Sequence, residues 1–193
     1  AITIAVSRRD YALLKPQLLM LIEKLGWKIV TYLYSDRLIT WVVGYIDGNH
    51  TTELIQLDFF FNTSVFGIEL MSINELLNNR QFNGDVYYPS VEIQFLDKYL
   101  YDRAVGAPYP KKYHAVKEAG QGSPVVKAKL KQLFGVDTVE KCDKISGRKL
   151  LGRAIGWNLR HRPFGLVAGI SRFLQTFTGN YLMSRTGFSV GFT

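Results

Sequence analysis

One carboxylate stands where chemistry could be done. In the run Thr52-Glu53-Leu54-Ile55-Gln56-Leu57-Asp58-Phe59-Phe60-Phe61, a strand's period of two puts Ile55, Leu57, Phe59 and Phe61 together. Gln56 and Asp58 point to the opposite side. A carboxylate among such neighbours is costly if buried alone. Asp58 is therefore expected to be salt-bridged, hydrogen-bonded or lining an open cleft. The second group is basic: Arg148, Lys149, Arg153, Arg160 and Arg162, set among Leu150, Leu151, Ile155 and Trp157. That pattern suits anion binding, at a membrane surface or on phosphates of a nucleic acid. It equally suits a solvated helix whose apolar side packs inward. No aromatic-interleaved single-strand motif favours nucleic acid.

The other reactive residue types offer less. A lone cysteine, Cys142, excludes an internal disulfide and a multi-cysteine zinc site, and it has no histidine nearby in sequence. It reads as a half-buried helix thiol and fits a reducing, cytoplasmic location, membrane-peripheral if the basic stretch binds lipid. His50, His114 and His161 share no metal-ligand spacing. His114, after Lys111-Lys112-Tyr113, reads as a connector histidine rather than a phosphate sensor. There is no Gly-rich phosphate loop, His-Glu-x-x-His or Gly-x-Ser-x-Gly.

The chain of 193 residues is 47% hydrophobic and 21% charged, which marks a globular protein rather than a disordered one. No apolar run approaches the roughly 18 residues of a membrane span. The net charge of +8 is uneven. Residues 1–105 carry 9 basic and 12 acidic residues, whereas 106–193 carry 15 and 4. From Lys144 onward there are 8 basic residues and no acid. The basic part should meet something anionic.

The elements that would position these groups can be read in order. Ile2 to Val6 reads as a strand. Ser7-Arg8-Arg9-Asp10 has capping-box spacing, Pro16 suits a first turn, and the helix should bury Leu18, Leu21, Ile22 and Leu25 before stopping at Gly26. Runs 27–34, 38–46 and 51–61, separated by turn signals, predict an antiparallel meander. Ser72-Ile73-Asn74-Glu75 predicts a capped short helix, Asn83-Gly84-Asp85 a turn, and Ser90 a helix to about Ala104. Residues 106–124, rich in Pro and Gly, form a connector with a helical turn near 112–119. Everything after 124 reads as helix, with stretches opening at Ser123-Pro124 and Asp137-Thr138, then 148–160 and 164–177. Phe188 to Thr193 looks like the beginning of a strand. With strands at both ends, the chain is expected to be a piece excised from a larger protein.

The order of elements resembles the nucleotidyltransferase-like domains of prokaryotic proteins that also carry a thymidylate-kinase-like P-loop domain. Four stretches carry the resemblance: Ala1-Ile2-Thr3-Ile4-Ala5-Val6-Ser7, Leu25-Gly26-Trp27, Leu54-Ile55-Gln56-Leu57-Asp58, and the polar-aromatic region that follows. It implies an α+β fold over 1–105, a small mixed sheet with helices, then a basic helical segment over 106–187. Residues 188–193 would open a kinase-like P-loop domain. In such proteins two aspartates at i and i+2 on the first strand and a third on a later strand cage two Mg²⁺ ions, which clamp a nucleoside triphosphate. This chain departs from the pattern at the decisive place, with Ala1 and Thr3 where the pair belongs and Asp58 as the remnant third carboxylate. The resemblance then implies a recognition or scaffolding module with no cofactor of its own in this stretch. Two further readings stay open: an active Mg-dependent nucleotidyl- or phosphotransferase completed from outside it, and a membrane-surface adaptor. Whether the stretch is enzymatic is left open by the residues, and its partners would be the following kinase-like domain and an anionic surface or phosphorylated ligand. Proteins of this kind accompany cell-surface polysaccharide functions.

Overall fold

The computed structural model describes residues 2–48 and 50–186, so Ala1 and the strand expected at 188–193 lie outside the described residues. The chain is α+β. Strand β1 (Ile2–Ala5) leads into helix α1 (Arg8–Lys24), followed by β2 (Trp27–Tyr34), β3 (Leu38–Asp47) and β4 (His50–Phe60). These strands make one mixed sheet in the order β1-β4-β3-β2. The meander is antiparallel, and β1 returns to pair with β4 in parallel, Thr3 beside Asp58 and Ala5 beside Phe60.

Helix α1 begins where its cap requires: Ser7 accepts from the Asp10 amide at 3.0 Å. Pro16 lies inside this helix rather than in its first turn. The helix covers one face of the sheet. Tyr11 packs on Trp41, Phe59 and Phe61, with Leu18 and Ile22 beside it. Leu21 and Leu25, expected inside, are exposed, because the buried stripe runs through Tyr11, Leu18 and Ile22 instead. Arg8 fixes the start of the helix over the β2–β3 turn. Its guanidinium donates to the Asp36 carbonyl and lies 4.4 Å from the Phe61 ring centre, and burial lowers its pKa.

The second core begins at Phe60. Hairpin β5 (Asn62–Val65) and β6 (Ile68–Ser72) is followed by α2 (Ile73–Asn78), hairpin β7 (Arg80–Phe82) and β8 (Tyr87–Pro89), and α3 (Val91–Val105). The strands of both hairpins, too short to show a clear period, are not expected from the sequence, although the turn expected at Asn83-Gly84-Asp85 joins β7 to β8. The capping box at Ser72 and Glu75 forms as expected. Ser90 precedes α3 without a side-chain bond to it. A 3₁₀ turn, Lys111–Tyr113, opens α4 (His114–Gly120), and then come α5 (Pro124–Phe134), α6 (Val139–Asp143), α7 (Gly147–His161) and α8 (Pro163–Thr186). The last helix runs beyond the stretch expected for it.

Helix α3 is the hub. Ile93, Phe95, Leu96, Tyr99 and Leu100 are buried in one cluster with Val126, Leu130 and Phe134 of α5 and Leu150 and Ala154 of α7. The acidic first segment and the basic second segment therefore share a core that crosses residue 105. Cys142 is fully buried in it, not half-buried, and burial raises its thiol pKa. Arg103 ties α3 to the end of α6, donating to the Ile145 carbonyl at 2.6 Å. Asn158, 1% exposed on α7, donates to the Glu69 carbonyl at 3.0 Å and so docks that helix on β6.

Two close fits complete this half. Lys129 of α5, 6% exposed, is ion-paired with Glu75 of α2. Where α8 crosses the β5–β6 turn, Gly169 meets Gly67 backbone to backbone, leaving no room for a side chain on either. The turn residues Phe66 and Gly67 both have positive φ, 52° and 77°, as a two-residue hairpin demands. The Phe66 ring is held 5.5 Å from Phe173 of α8.

Candidate functional site

The face of the sheet away from α1 carries a polar row. Thr3, Asp58 and Thr40 are neighbours across β1, β4 and β3. A strand's alternation directs all three to the same side, with Gln56 two residues before Asp58. Asp58 is half-buried and fully engaged: Thr40 Oγ1 donates to one carboxylate oxygen at 2.5 Å, and Gln56 Nε2 lies 3.1 and 3.0 Å from the two. This meets the expectation that Asp58 is hydrogen-bonded. The row holds one carboxylate and two hydroxyls. Such a set can orient a polar group but supplies one negative charge, whereas a two-metal cage takes three carboxylates. Among the described residues no three His, Cys, Asp or Glu gather as a metal site.

Beside this row, along β1, lies a cavity of about 660 Å³, within the roughly 300–1,000 Å³ of ligand-holding pockets. Residues of β1 with Phe60 of β4 form one wall, the β7–β8 hairpin another, and α2, α3, the 3₁₀ turn and Val116 of α4 the rest. Its lining is mainly apolar and aromatic, including Leu76, Ile93, Tyr87, Tyr88 and Tyr113. Two cations stand among them. Arg80 lies 4.7 Å from the Tyr87 ring centre, and Lys98 5.6 Å from that of Tyr113. Neither joins an ion pair among the described residues. The acid in the wall, Asp97, accepts a 2.6 Å hydrogen bond from Thr63. Sequence reasoning missed this cavity. The available signal was the pair of short aromatic runs flanking Asn83-Gly84-Asp85, a hairpin pattern.

The basic residues divide. Arg153 donates to the Phe134 carbonyl, and Arg162 pairs with Glu69. Arg148, Lys149 and Arg160 are exposed on the outer side of α7. The inner side is taken by Leu150, Ala154 and Asn158. Trp157 is spent internally too, stacked on His161 at 4.9 Å with Lys129 over its ring. Next to Arg160 the chain exposes Leu159, Phe164 and Val167, Phe164 being 89% accessible. No described helix is long and apolar enough to cross a membrane. His114 is exposed beside Tyr109, whose phenol burial pushes up to about 12. No family model, curated protein or solved structure matches this chain.

Proposed function

We propose that this is a nucleotidyltransferase-like domain that has given up catalysis and works as a recognition module for a larger, kinase-like protein. The observation that carries the reading is the register of β1 and β4. Thr3 sits directly beside Asp58, at the place where a second metal-holding carboxylate would be required. Asp58 itself is occupied by Thr40 and Gln56. The neighbouring cavity gives the module something to recognise with. The buried thiol of Cys142 supports a reducing, cytoplasmic setting.

The test is direct. Incubated with labelled nucleoside triphosphates, Mn²⁺ and a range of hydroxyl acceptors, the domain should give no metal-dependent product. Ala1→Asp with Thr3→Asp should restore Mn²⁺ binding, tightening it at least about tenfold, or about 1.4 kcal/mol. Product from the parent chain that vanishes in Asp58→Asn would overturn the reading.

A second reading, the membrane-surface adaptor, is favoured by one observation: Leu159, Phe164 and Val167 are exposed around the α7–α8 junction beside Arg160. Apolar side chains next to cations are what an anionic bilayer takes up. Co-sedimentation with phosphatidylserine-containing vesicles should exceed that with neutral vesicles and fall as salt rises. Arg160→Glu and Phe164→Ser should each weaken it severalfold, on the order of 1 kcal/mol per site. Equal binding to both vesicle types would remove this reading.

A further inference from the structure

We infer that the open edge of β1 is a docking strand for an extended peptide segment bearing a carboxylate side chain. The inference rests on the domain being a recognition module and names what it recognises.

Four observations converge. First, among the described residues β1 is the outermost strand of its sheet, paired on one side only. The Val6 amide donates to the Phe60 carbonyl at 3.0 Å, so Val6 faces β4. With a period of two, the backbones of Ile2 and Ile4 face β4 as well. The N–H and C=O groups of Thr3 and Ala5 point the other way, with no strand beside them among the described residues. Second, residues of both faces of β1, Ile2 and Ile4 with Thr3 and Ala5, line the 660 Å³ cavity. A cavity lined by alternating faces runs along the strand's edge, not over one face. Four residues of strand offer about 13 Å of edge. Third, the edge is apolar where a solitary edge would be blunted with charge: Ile2 and Ile4 are 54% and 37% exposed. Fourth, the opposite walls supply places for alternate side chains, apolar at Leu76, Leu77 and Ile93 and cationic at Arg80 and Lys98. Asp97 keeps its charge while it accepts from Thr63, so the two cations leave the lining with a net charge of +1. Main-chain bonds would give affinity and these alternating subsites specificity, the logic of strand addition. An acidic residue in the added strand is what Arg80 and Lys98 complement, neither being neutralised by a close ion pair among the described residues.

The experiment uses the chain as it stands, isotope-labelled. Its probes are capped hexapeptides of alternating Val and Thr, with one Glu scanned through every position and a matching Lys series. The expected result is saturable binding of a Glu peptide at least about tenfold tighter than its Lys counterpart, with the Thr3 and Ala5 amides shifted and protected from exchange. Thr3→Pro deletes an edge N–H that the sheet does not use. It should keep the circular dichroism of the parent and lose at least tenfold in affinity. Arg80→Glu with Lys98→Glu, which leaves β1 untouched, should reverse the preference toward Lys peptides. The inference is overturned if no peptide of either series binds. It is equally overturned if peptides bind while the Thr3 and Ala5 amides are unmoved. Metal-dependent nucleotide transfer would defeat the recognition reading itself, whereas absent transfer with absent peptide binding would defeat only this inference.

Discussion

Glu75→Gln should unfold this protein at markedly lower urea, with a loss of about 2–3 kcal/mol. Glu75 occupies the third position of α2, where its carboxylate accepts from the Ser72 amide at 2.8 Å and the Ser72 hydroxyl at 2.9 Å. Its other oxygen meets Lys129, whose side chain is 7% exposed. A glutamine can still cap the helix, but it cannot neutralise the ammonium. Breaking a buried pair from one side costs about 3–5 kcal/mol, because a charge is left without compensation. Glu75 is 38% exposed, so solvent screens part of that. Adding Lys129→Met to Glu75→Gln should recover most of the loss, since the orphaned charge is then gone. A single-variant loss under about 0.5 kcal/mol would show that the pair is dispensable.

The same pair sets an acid limb. Burial alone would raise the Glu75 pKa, but the Lys129 charge and the Ser72 bonds more than offset it and hold it below its ordinary 4.5. A carboxylate with a lowered folded pKa contributes stability that is present above the unfolded value and lost as pH falls through the folded one. Unfolding free energy should therefore decline below about pH 4.5 in the parent, and more shallowly in Glu75→Gln. Burial pulls the Lys129 pKa down, with Glu75 opposing. That is why the lysine needs its partner.

Gly169→Val is expected to be at least as damaging, about 3 kcal/mol or more. A Cβ at position 169 would run into the Gly67 carbonyl, and one at 67 into that of Gly169. Both obstacles are backbone, which has no rotamer to escape into, and overpacking of this kind costs about 1–3 kcal/mol even where side chains can yield. At Gly67 the positive φ adds strain for any residue with a Cβ. Gly152 and Gly156 in α7 make the control, since a Cβ there meets nothing. Gly152→Ala and Gly156→Ala should each stabilise by about 0.5–1 kcal/mol through helix propensity alone. Thermal unfolding of the three variants decides it. A Gly169→Val melting point equal to the parent's would mean that α8 does not seat on the hairpin.

What could be read in the sequence was local. The Ser7, Ser72 and Ser123 starts, the Gly26 stop and the meander all follow from residues within a few positions of one another. Asp58 was legible as a carboxylate needing partners, and Gln56 as its neighbour on the same side. Thr40, its shortest bond, was not, because it arrives from the adjacent strand by register. The same limit hid the choice of Tyr11 over Leu21 and Leu25 as an inward residue of α1. Hydrophobicity favours the leucines, and only the placement of Trp41 and Phe59 favours the tyrosine. The basic helix α7 was ambiguous for a related reason. Its apolar stripe fits a bilayer or a neighbouring helix equally, and α3 and α5 supply the helix.

The hairpin β7–β8 has three-residue strands whose residues are all exposed; its own ladder and the Phe82–Tyr87 and Arg80–Tyr87 contacts hold it, and its far end is tied to α3 by the Gln94 amide on the Pro89 carbonyl. A two-stranded ribbon of that size has little intrinsic stability in water. Its amides should consequently exchange with solvent by local opening, at a free energy far below that of global unfolding, while those of Leu96 and Leu100 in α3 exchange last. Since this ribbon walls the cavity, anything that binds there must also order it, and part of the intrinsic affinity is spent on that ordering. The visible mark of an occupant would then be slowed exchange at residues 80–89, larger than any change in the fold's overall melting temperature.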